Sequence, residues 1–213
     1  MIQVVVLDFD GVIVESADIK TYAFVQLFPA HPELHATIRR YHLRHAGISR
    51  LVKIRHILTT MVGVPADEST VAALAERFRE LVEEQVAAAP LVRGAGAFLR
   101  SARDRYRLYV ASGTPEPELR RLAGRLGVDH AFVALYGSPD TKPTILRRIA
   151  AAEGVTPDAM VMVGDGESDR DAADDTDVPF IARVTGPGPL ATCRWQVTDL
   201  SELQGAIDRI DAS

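Results

Sequence analysis

The sequence predicts an α/β protein whose doubly wound parallel sheet is interrupted, after its first strand, by an all-helical insertion. Four consecutive apolar residues at 4–7, three of them β-branched, are typical of a strand buried on both faces. From Leu91 onward, short apolar runs alternate with helical patterns, an arrangement that builds parallel sheets. Between these regions, residues 16–89 show helical periodicity and no strand pattern. We therefore expect one domain from residues 1–15 and 90–213, and a separate helical module from residues 16–89.

The individual elements follow from hydrophobic periodicity and from helix-start signals. Within the insertion, apolar residues recur at helical spacing over about 19–27, 34–41, 51–61 and 71–82. Ser69 is the predicted N-cap of the fourth helix, and Thr114 is the predicted cap of a helix in the main domain. After the insertion we predict helices at 97–103 and 143–152, and strands at 108–112, 132–135, 160–163, 180–182 and 194–197.

Composition and charge predict a globular protein and argue against nucleic-acid-binding and membrane-spanning classes. The 213 residues are 47% hydrophobic and 25% charged, as in ordinary soluble globular proteins. The net charge of −5 predicts no general attraction to nucleic acid or to an anionic membrane. No window approaches the roughly 18 apolar residues of a membrane span. The single cysteine, Cys193, excludes an intramolecular disulfide and suits a reducing cytoplasm, so we expect a cytoplasmic protein and make no prediction of its oligomeric state.

Two carboxylates stand directly after the first strand. Alternation along a strand turns the side chains of Asp8 and Asp10 to one side, while Phe9 turns to the core. Gly11 then allows a sharp turn because it has no Cβ. Ionised carboxylates at the end of a buried strand are unfavourable unless a cation or phosphate site requires them. Asp-Gly is also a common turn signal, which leaves a purely structural interpretation of this pair open.

Three further groups of polar residues occupy corresponding places in the chain. Ser112 and Gly113 end a predicted strand, Lys142 lies in a predicted loop, and Asp165 and Asp169 follow another strand. Because the carboxyl ends of parallel strands share one edge of a sheet, we expect these residues to converge. Taken singly, each has a structural alternative as a turn residue, a solvated lysine or part of a solvated acidic run.

The combined set fits phosphoryl transfer. Asp8 can attack phosphorus to form an acyl phosphate, and Asp10 can protonate the leaving oxygen and then deprotonate water. Asp8, Asp165 and Asp169 offer hard oxygen ligands to a Mg²⁺ ion, which would screen the repulsion between nucleophile and phosphate. The phosphoryl oxygens would be held by groups that donate hydrogen bonds or carry positive charge: Ser112, the Gly113 N–H and Lys142.

Four segments together resemble the ordered motifs of the haloacid dehalogenase superfamily. They are DFDGVIVES at 8–16, ASGT at 111–114, KP at 142–143 and GDGESD at 164–169. Any one of them is weakly specific, whereas the four in this order and spacing are highly specific. The helical insertion stands where the cap of the phosphoglycolate phosphatase and β-phosphoglucomutase branch would lie. The resemblance therefore implies a Rossmann-like core with a mobile helical cap.

The resemblance also implies an activity and a role for each motif residue. The implied activity is that of a Mg²⁺-dependent phosphatase, which hydrolyses a small phosphomonoester through an aspartyl-phosphate intermediate. Sugar phosphates or a phosphoglycolate-like compound would be its substrates. The implied assignments are Asp8 as nucleophile, Asp10 as acid and base with its carbonyl on the metal, Ser112, Gly113 and Lys142 on the phosphate, and Asp165 and Asp169 on the metal.

Individual residues separate the activities known in this superfamily. Dehalogenases lack the second carboxylate, so Asp10 argues against that reaction. Mutases carry a His where this chain has Lys20 and a Glu where it has Gly164, and both departures favour water as the final acceptor. A phosphonoacetaldehyde hydrolase needs a Schiff-base lysine in the cap, and neither Lys20 nor Lys53 has the expected context. A β-phosphoglucomutase-like enzyme and a non-catalytic regulatory module are the alternatives left open.

Substrate specificity is predicted to lie in the insertion. Residues 47–50 resemble the substrate-specificity loop of β-phosphoglucomutase. Arg50 is therefore the first residue expected to contact an anionic or polyhydroxyl part of the substrate, and Lys53 is the second. The alternative is that the basic residues of this segment solvate a helix. His42 is predicted to serve packing rather than metal binding.

Overall fold

The structure, a computed structural model that describes residues 1–213, is built around one six-stranded parallel sheet. The strands are β1 (Val4–Leu7), β2 (Arg107–Pro115), β3 (Ala134–Ser138), β4 (Met160–Gly164), β5 (Phe180–Arg183) and β6 (Gln196–Val197). Their order across the sheet is β3-β2-β1-β4-β5-β6, and every neighbouring pair is parallel. The predicted α/β class is confirmed.

Helices cover the sheet and form the whole of the insertion. They are α1 (Ala17–Gln26), α2 (His35–Arg44), α3 (Arg50–His56), α4 (Glu68–Ala88), α5 (Ala95–Ala102), α6 (Glu116–Arg125), α7 (Lys142–Glu153), α8 (Glu167–Asp174) and α9 (Leu203–Asp211). A π-helical segment, Ile57–Val62, continues α3, and no strand lies between β1 and β2. None of the helices combines the length and apolar character that a bilayer span requires.

Side chains that alternate along β1 divide the hydrophobic core into two layers. Val5 and Leu7 belong to a cluster that includes residues of α5, α6 and α9 and of the insertion helices. Val4 and Val6 belong to a second cluster, with residues of α7 and α8. All four side chains are fully buried, which explains why the strand is a continuous apolar run.

The strand order reverses direction beside β1, and this places the polar strand ends together. The chain moves from β1 to β2 and β3 on one side, and then returns to add β4 on the other side of β1. Leu7 pairs with Val163, so the residues that follow β1 and β4 leave the sheet side by side. Open α/β sheets bind ligands at such a switch point, outside the carboxyl ends of the strands.

Two predicted helix starts differ from the structure. Thr114 is not a cap, because β2 continues through it and its hydroxyl donates to Asp10 Oδ2 at 3.0 Å. Ser69 is not the N-cap of α4; the cap is Asp67, whose Oδ1 accepts from the Thr70 N–H at 2.8 Å. At α4 the neighbouring Asp67 side chain takes the role predicted for Ser69. At α6 the N-cap is Pro115, which makes no side-chain cap hydrogen bond, because Thr114 still belongs to the strand.

Candidate active site

The backbone that carries Asp8 is tied to β4 and to β5. The Asp8 N–H donates to Val163 O at 2.9 Å, and Asp8 is 2% exposed. Gly11 follows with φ +73, and a Cβ there would overlap the Asp165 carboxylate, so only glycine fits. Arg183 of β5 donates to Gly11 O at 2.7 Å and forms an ion pair with Glu15. Arg183 therefore anchors the turn after β1, a contact that no sequence motif indicates.

An acidic cluster of three carboxylates lies at the ends of β1 and β4. One carboxylate oxygen from each of Asp8, Asp165 and Asp169 lies within 4.8 Å of the others. Burial raises the pKa of Asp8 to about 7, and the neighbouring Asp169 and Asp10 charges add to the effect. Burial and the Asp8 charge likewise raise the pKa of Asp165. The predicted convergence of these residues is therefore seen, and their oxygens form a donor set suited to a hard cation.

Lys142 is the cationic neighbour of this acidic cluster. It is the first residue of α7 rather than part of a loop, so that prediction is wrong in detail. Its Nζ lies 2.9 Å from Asp8 Oδ2 and also donates to Asp169, which accepts from the Gly166 N–H at 3.1 Å. Burial opposes the Lys142 charge, but Asp169 and Asp8 outweigh it and raise the pKa of Lys142. One ammonium thus faces three carboxylates, which leaves the site short of positive charge.

Asp10 lies beside the acidic cluster but has a separate set of partners. Its Oδ1 accepts from Ser16 Oγ at 2.6 Å, and its Oδ2 accepts from Thr114 Oγ1 at 3.0 Å and from Lys20 Nζ at 2.5 Å. Burial opposes ionisation, but Lys20 and the hydroxyl donors outweigh it and lower the pKa of Asp10. Lys20 and Thr114 are site residues that sequence reasoning missed. The signal that could have found them was the family resemblance, since Lys20 stands where mutases carry a His and Thr114 ends the ASGT segment.

Ser112 and Gly113 lie at the end of β2, where the insertion touches the sheet. Ser112 is buried, and its Oγ accepts from the Thr114 N–H at 3.1 Å. A Cβ on Gly113 would overlap the carbonyl of Gly47. The main chain of residues 46–48 therefore lies directly against the predicted phosphate-binding strand end.

The 46–48 loop also contacts the other side of the site. Ser168 donates to Ala46 O, and Gly47 has φ +80. A Cβ on Gly47 would come within 2.6 Å of both Lys142 Nζ and Ser168 Oγ. A glycine with this backbone conformation is therefore what lets the loop approach the lysine.

A cavity of about 140 Å³ lies between the helical insertion and the sheet edge. Arg50 lines it, yet its guanidinium forms two hydrogen bonds with the Glu118 carboxylate of α6, at 3.2 and 2.6 Å. Arg50 thus lines the cavity with a carboxylate partner already in place, and its contact with a substrate stays a prediction. The lining residues with polar or charged side chains are Asp8, Asp10, Lys20, Thr21, His42, Arg50, Lys53, Thr114 and Asp165.

Lys53 lines the same cavity with its ammonium buried. The residue is 3% exposed, and its Nζ lies 3.2 Å from His42 Nδ1 and donates to His45 O at 3.1 Å. Burial, followed by the charge of Lys20, lowers the pKa of Lys53 to about 7. Burial, followed by Lys53, lowers the pKa of His42 to about 2, so the imidazole is neutral. His42 packs against Phe24, with ring centroids 4.6 Å apart, as the sequence predicted, and it also lines the cavity.

Comparison with solved structures reveals the same fold in other proteins. The chain is 20% identical to a protein described as a predicted phosphatase from Clostridium acetobutylicum, with a TM-score of 0.77 and coverage of 98% of this chain and 99% of that one. A β-phosphoglucomutase from Clostridium difficile is 17% identical, with a TM-score of 0.79 and full coverage of both chains (100% each). A magnesium-bound HAD-hydrolase from Bacillus subtilis is 14% identical, with a TM-score of 0.73 and coverage of 97% and 99%. At these identities the likeness establishes the fold.

Sequence comparison establishes the family. No curated protein matches the chain. The family model of the haloacid dehalogenase-like hydrolases, in contrast, matches residues 2–175, which include all four motifs and most of the chain. The resemblance stated from the motifs is thereby confirmed. The chain belongs to the haloacid dehalogenase-like hydrolase family.

Proposed function

We propose that this protein is a Mg²⁺-dependent phosphatase that releases phosphate from a small phosphomonoester through an aspartyl-phosphate on Asp8. The observation that carries the proposal is the acidic cluster, in which three carboxylates lie within 4.8 Å of one another. Lys142 is the one cation in ion-pair contact with them. Crowded, desolvated carboxylates of this kind are expected where a divalent cation and a phosphate dianion bind together.

The donor set supports Mg²⁺ as the cation. Asp8, Asp165 and Asp169, together with the carbonyl of Asp10, would hold it through oxygen atoms alone, the ligands that Mg²⁺ prefers. When bound, the ion would offset the negative charge that the nucleophile and the phosphate bring together. The raised pKa values of Asp8 and Asp165 support this assignment, because they reflect burial first and then the charge of neighbouring carboxylates, both of which a bound cation would offset. The Bacillus subtilis hydrolase is described as bound to magnesium.

In the proposed reaction, an Asp8 oxygen forms a bond to phosphorus while the bond from phosphorus to the leaving oxygen breaks. Asp10 gives its proton to that leaving oxygen and then takes a proton from the water that attacks the aspartyl-phosphate. Ser16, Lys20 and Thr114 hold the Asp10 carboxylate in one orientation through their hydrogen bonds. The lowered pKa of Asp10 favours its basic form, which the second step requires. The first step requires the acid form, which the negative charge of a bound phosphate would favour by raising that pKa.

The phosphoryl oxygens would be bound by residues at the ends of β2 and α7. Lys142 Nζ is the proposed cationic contact, because it already lies 2.9 Å from the Asp8 carboxylate. The Ser112 hydroxyl and the Gly113 N–H are the proposed hydrogen-bond donors. Together they would stabilise charge on the equatorial oxygens during transfer.

We further propose that residues 16–89 act as a cap over a core formed by residues 1–15 and 90–213. The contacts of the 46–48 loop with Lys142 and Ser168 support this arrangement, since they bring the insertion directly against the proposed phosphate-binding residues. The structure of the Bacillus subtilis relative is described as revealing interdomain movement. Hinges near 16–18 and 89–91 would let substrate enter.

The proposed partner is a small molecule in the cytoplasm. A cavity of about 140 Å³ that is enclosed by both parts of the chain suits a sugar phosphate or a phosphoglycolate-like compound. The net charge of −5 gives no general attraction to nucleic acid, and a single cysteine suits a reducing compartment.

The test is phosphate release from a panel of sugar phosphates, phosphoglycolate and nucleotides, with Mg²⁺ and with EDTA. We expect release with Mg²⁺ only, and a loss of roughly 10³-fold or more in Asp8→Asn. Asp174→Asn, which neutralises an exposed carboxylate of α8, is the matched control and should retain wild-type rates. Release that survives EDTA or the Asp8 substitution would contradict the proposal. Turnover that requires a sugar bisphosphate would favour the mutase alternative.

A further inference from the structure

The cavity holds one buried ammonium for which the chain supplies no counterion. Lys20 pairs with Asp10, and Arg50 pairs with Glu118. Lys53, at 3% exposure, contacts His42 Nδ1 and His45 O and no carboxylate. Removing an ammonium from water is costly unless an opposite charge compensates.

The partners of Lys53 orient it without neutralising it. An ammonium only donates, so His42 Nδ1 accepts from it, and the proton of the neutral ring lies on Nε2. The structure shows no acceptor for that N–H, and His42 also lines the cavity. The Phe24 ring, with its centroid 5.0 Å from Lys53 Nζ, adds a cation–π contact, which attracts the ammonium but brings no negative charge. An ammonium and an imidazole N–H thus lie together in the cavity wall without an acidic acceptor.

We propose that Lys53 and His42 form a subsite for a second anionic group of the substrate, a carboxylate or a phosphate on the part that is not transferred. The proposal rests on the proposed function, which places the reacting phosphoryl group at Asp8. It deepens that function by defining the substrate class as a phosphomonoester with an additional negative charge. An anion bound there would supply the missing counterion, and the burial that now weakens the charge of Lys53 would then strengthen the ion pair.

The test compares three compounds that share a three-carbon chain and differ only at its far end. They are 3-hydroxypropyl phosphate, 3-(phosphonooxy)propanoate and propane-1,3-diyl bisphosphate. In the wild-type protein we expect kcat/KM for at least one anionic compound to exceed that of the neutral compound tenfold or more. Comparison of the carboxylate with the bisphosphate identifies which group the subsite takes. Equal rates, or preference for the neutral compound, would overturn the proposal.

Variants connect the preference to Lys53. In Lys53→Met, a change that keeps an unbranched stem of four atoms and removes the ammonium, we expect the ratio of anionic to neutral kcat/KM to fall at least tenfold. Arg55→Met, in the same helix but partly exposed and paired with Glu68, is the matched control and should keep the wild-type ratio. A ratio that persists in Lys53→Met would overturn the subsite.

Binding separates this proposal from the proposed hydrolysis. Calorimetry with Asp8→Asn measures the affinity of the same three compounds without turnover. If the anionic compounds bind at least tenfold more tightly, and an added Lys53→Met change removes the difference, the subsite stands even where no phosphate is released. If hydrolysis occurs but the three affinities are equal, the phosphatase proposal is supported and the proposal of an anion subsite at Lys53 and His42 is wrong.

Discussion

On the sheet side of the cavity, Asp8, Asp165 and Asp169 crowd around the single ammonium of Lys142, whereas on the helical side the ammonium of Lys53 has no carboxylate partner at all. The two sides carry charge imbalances of opposite sign. Burial shifts the pKa of Asp8 up to about 7 and the pKa of Lys53 down to about 7, in each case toward the neutral form.

The charge on each side of the cavity indicates the charge of the ligand that would bind there. A surplus of carboxylates indicates a cation, and an uncompensated ammonium indicates an anion. Because both imbalances face one cavity, a metal ion and a doubly anionic ligand would complete the site together. Strand register and tight turns position the residues on the sheet side. The helical side is held against the sheet edge by the contacts of its 46–48 loop with Gly113, Lys142 and Ser168.

The largest expected effect comes from removing a carboxylate on the sheet side. Asp165→Asn should lower Mg²⁺-dependent phosphate release by roughly 10²–10³-fold, because it takes a proposed ligand from the acidic cluster. Steady-state kinetics against Mg²⁺ concentration would also show a higher concentration for half-maximal activity. Asp174→Asn is again the control. An Asp165→Asn enzyme with the wild-type metal dependence would show that the surplus of carboxylates does not serve a metal.

A smaller effect is expected where the two sides meet. Gly47→Ala adds a Cβ within 2.6 Å of Lys142 Nζ at a backbone φ of +80, so the loop must withdraw from the sheet edge. We expect kcat/KM to fall roughly tenfold, with about 1 kcal/mol lost in stability.

Gly63→Ala is the matched control for this change. It has nearly the same φ, +81, but open space around the added Cβ. It should lose similar stability in urea denaturation while kcat/KM stays unchanged. Equal losses of activity in the two variants would show that backbone strain, rather than loop contact, limits the reaction.

On the sheet side, the raised pKa of Asp8 should make the stability of the metal-free protein depend on pH. The folded-state pKa of Asp8 is raised from 3.8 to about 7, so the metal-free native state binds more protons than the unfolded chain in this window. Stability in EDTA should therefore fall as pH rises from about 4 to about 7, by on the order of 2 kcal/mol. Mg²⁺ should restore it, and more at pH 8 than at pH 5, because protons compete with the metal. Equal Mg²⁺ effects at both pH values, measured by urea denaturation, would contradict this.

On the helical side, the contribution of Lys53 to stability should change with pH in the opposite direction, and this is the smallest of the expected effects. The pKa of Lys53 is lowered from 10.5 to about 7 in the native state, so the unfolded chain binds more protons between these values. Its contribution to stability should rise as pH increases from about 7 to about 10. Lys53→Met removes the buried charge and should be more stable than wild type at pH 7 by on the order of 1 kcal/mol, a difference that shrinks at pH 10. A variant that is less stable than wild type at pH 7 would show that the ammonium is compensated.

The sheet side could be predicted from the sequence because its residues stand at strand ends. Once Asp8, Ser112 and Asp165 are assigned to the ends of parallel strands, the topology brings them to one edge of the sheet. Strand periodicity also predicts that Phe9 turns inward, and the structure shows it fully buried. These inferences need no knowledge of side-chain conformation.

The helical side could not be predicted in the same way. His42 and Lys53 lie on different helices, and their contact depends on how α2 packs against α3, which helical periodicity alone does not determine. The pairing of Arg50 with Glu118 joins residues 68 positions apart, on an insertion helix and a sheet-side helix. Thr114 and Lys20 were missed because their roles depend on the position of Asp10 in three dimensions. Long-range polar contacts between helices therefore mark the limit of the sequence argument.

The most direct test of the central claim is to trap the covalent intermediate on Asp8. Asp10→Asn, which lacks both the proposed acid of the first step and the proposed base of the second, would be incubated with Mg²⁺ and 4-nitrophenyl phosphate, whose leaving group needs no proton, then quenched in acid and mapped by mass spectrometry. We predict one phosphoryl group on the peptide that contains Asp8, released by hydroxylamine as an acyl phosphate should be. A phosphoryl group on Ser112, or phosphate release with no modified peptide in rapidly quenched wild-type protein, would contradict the account.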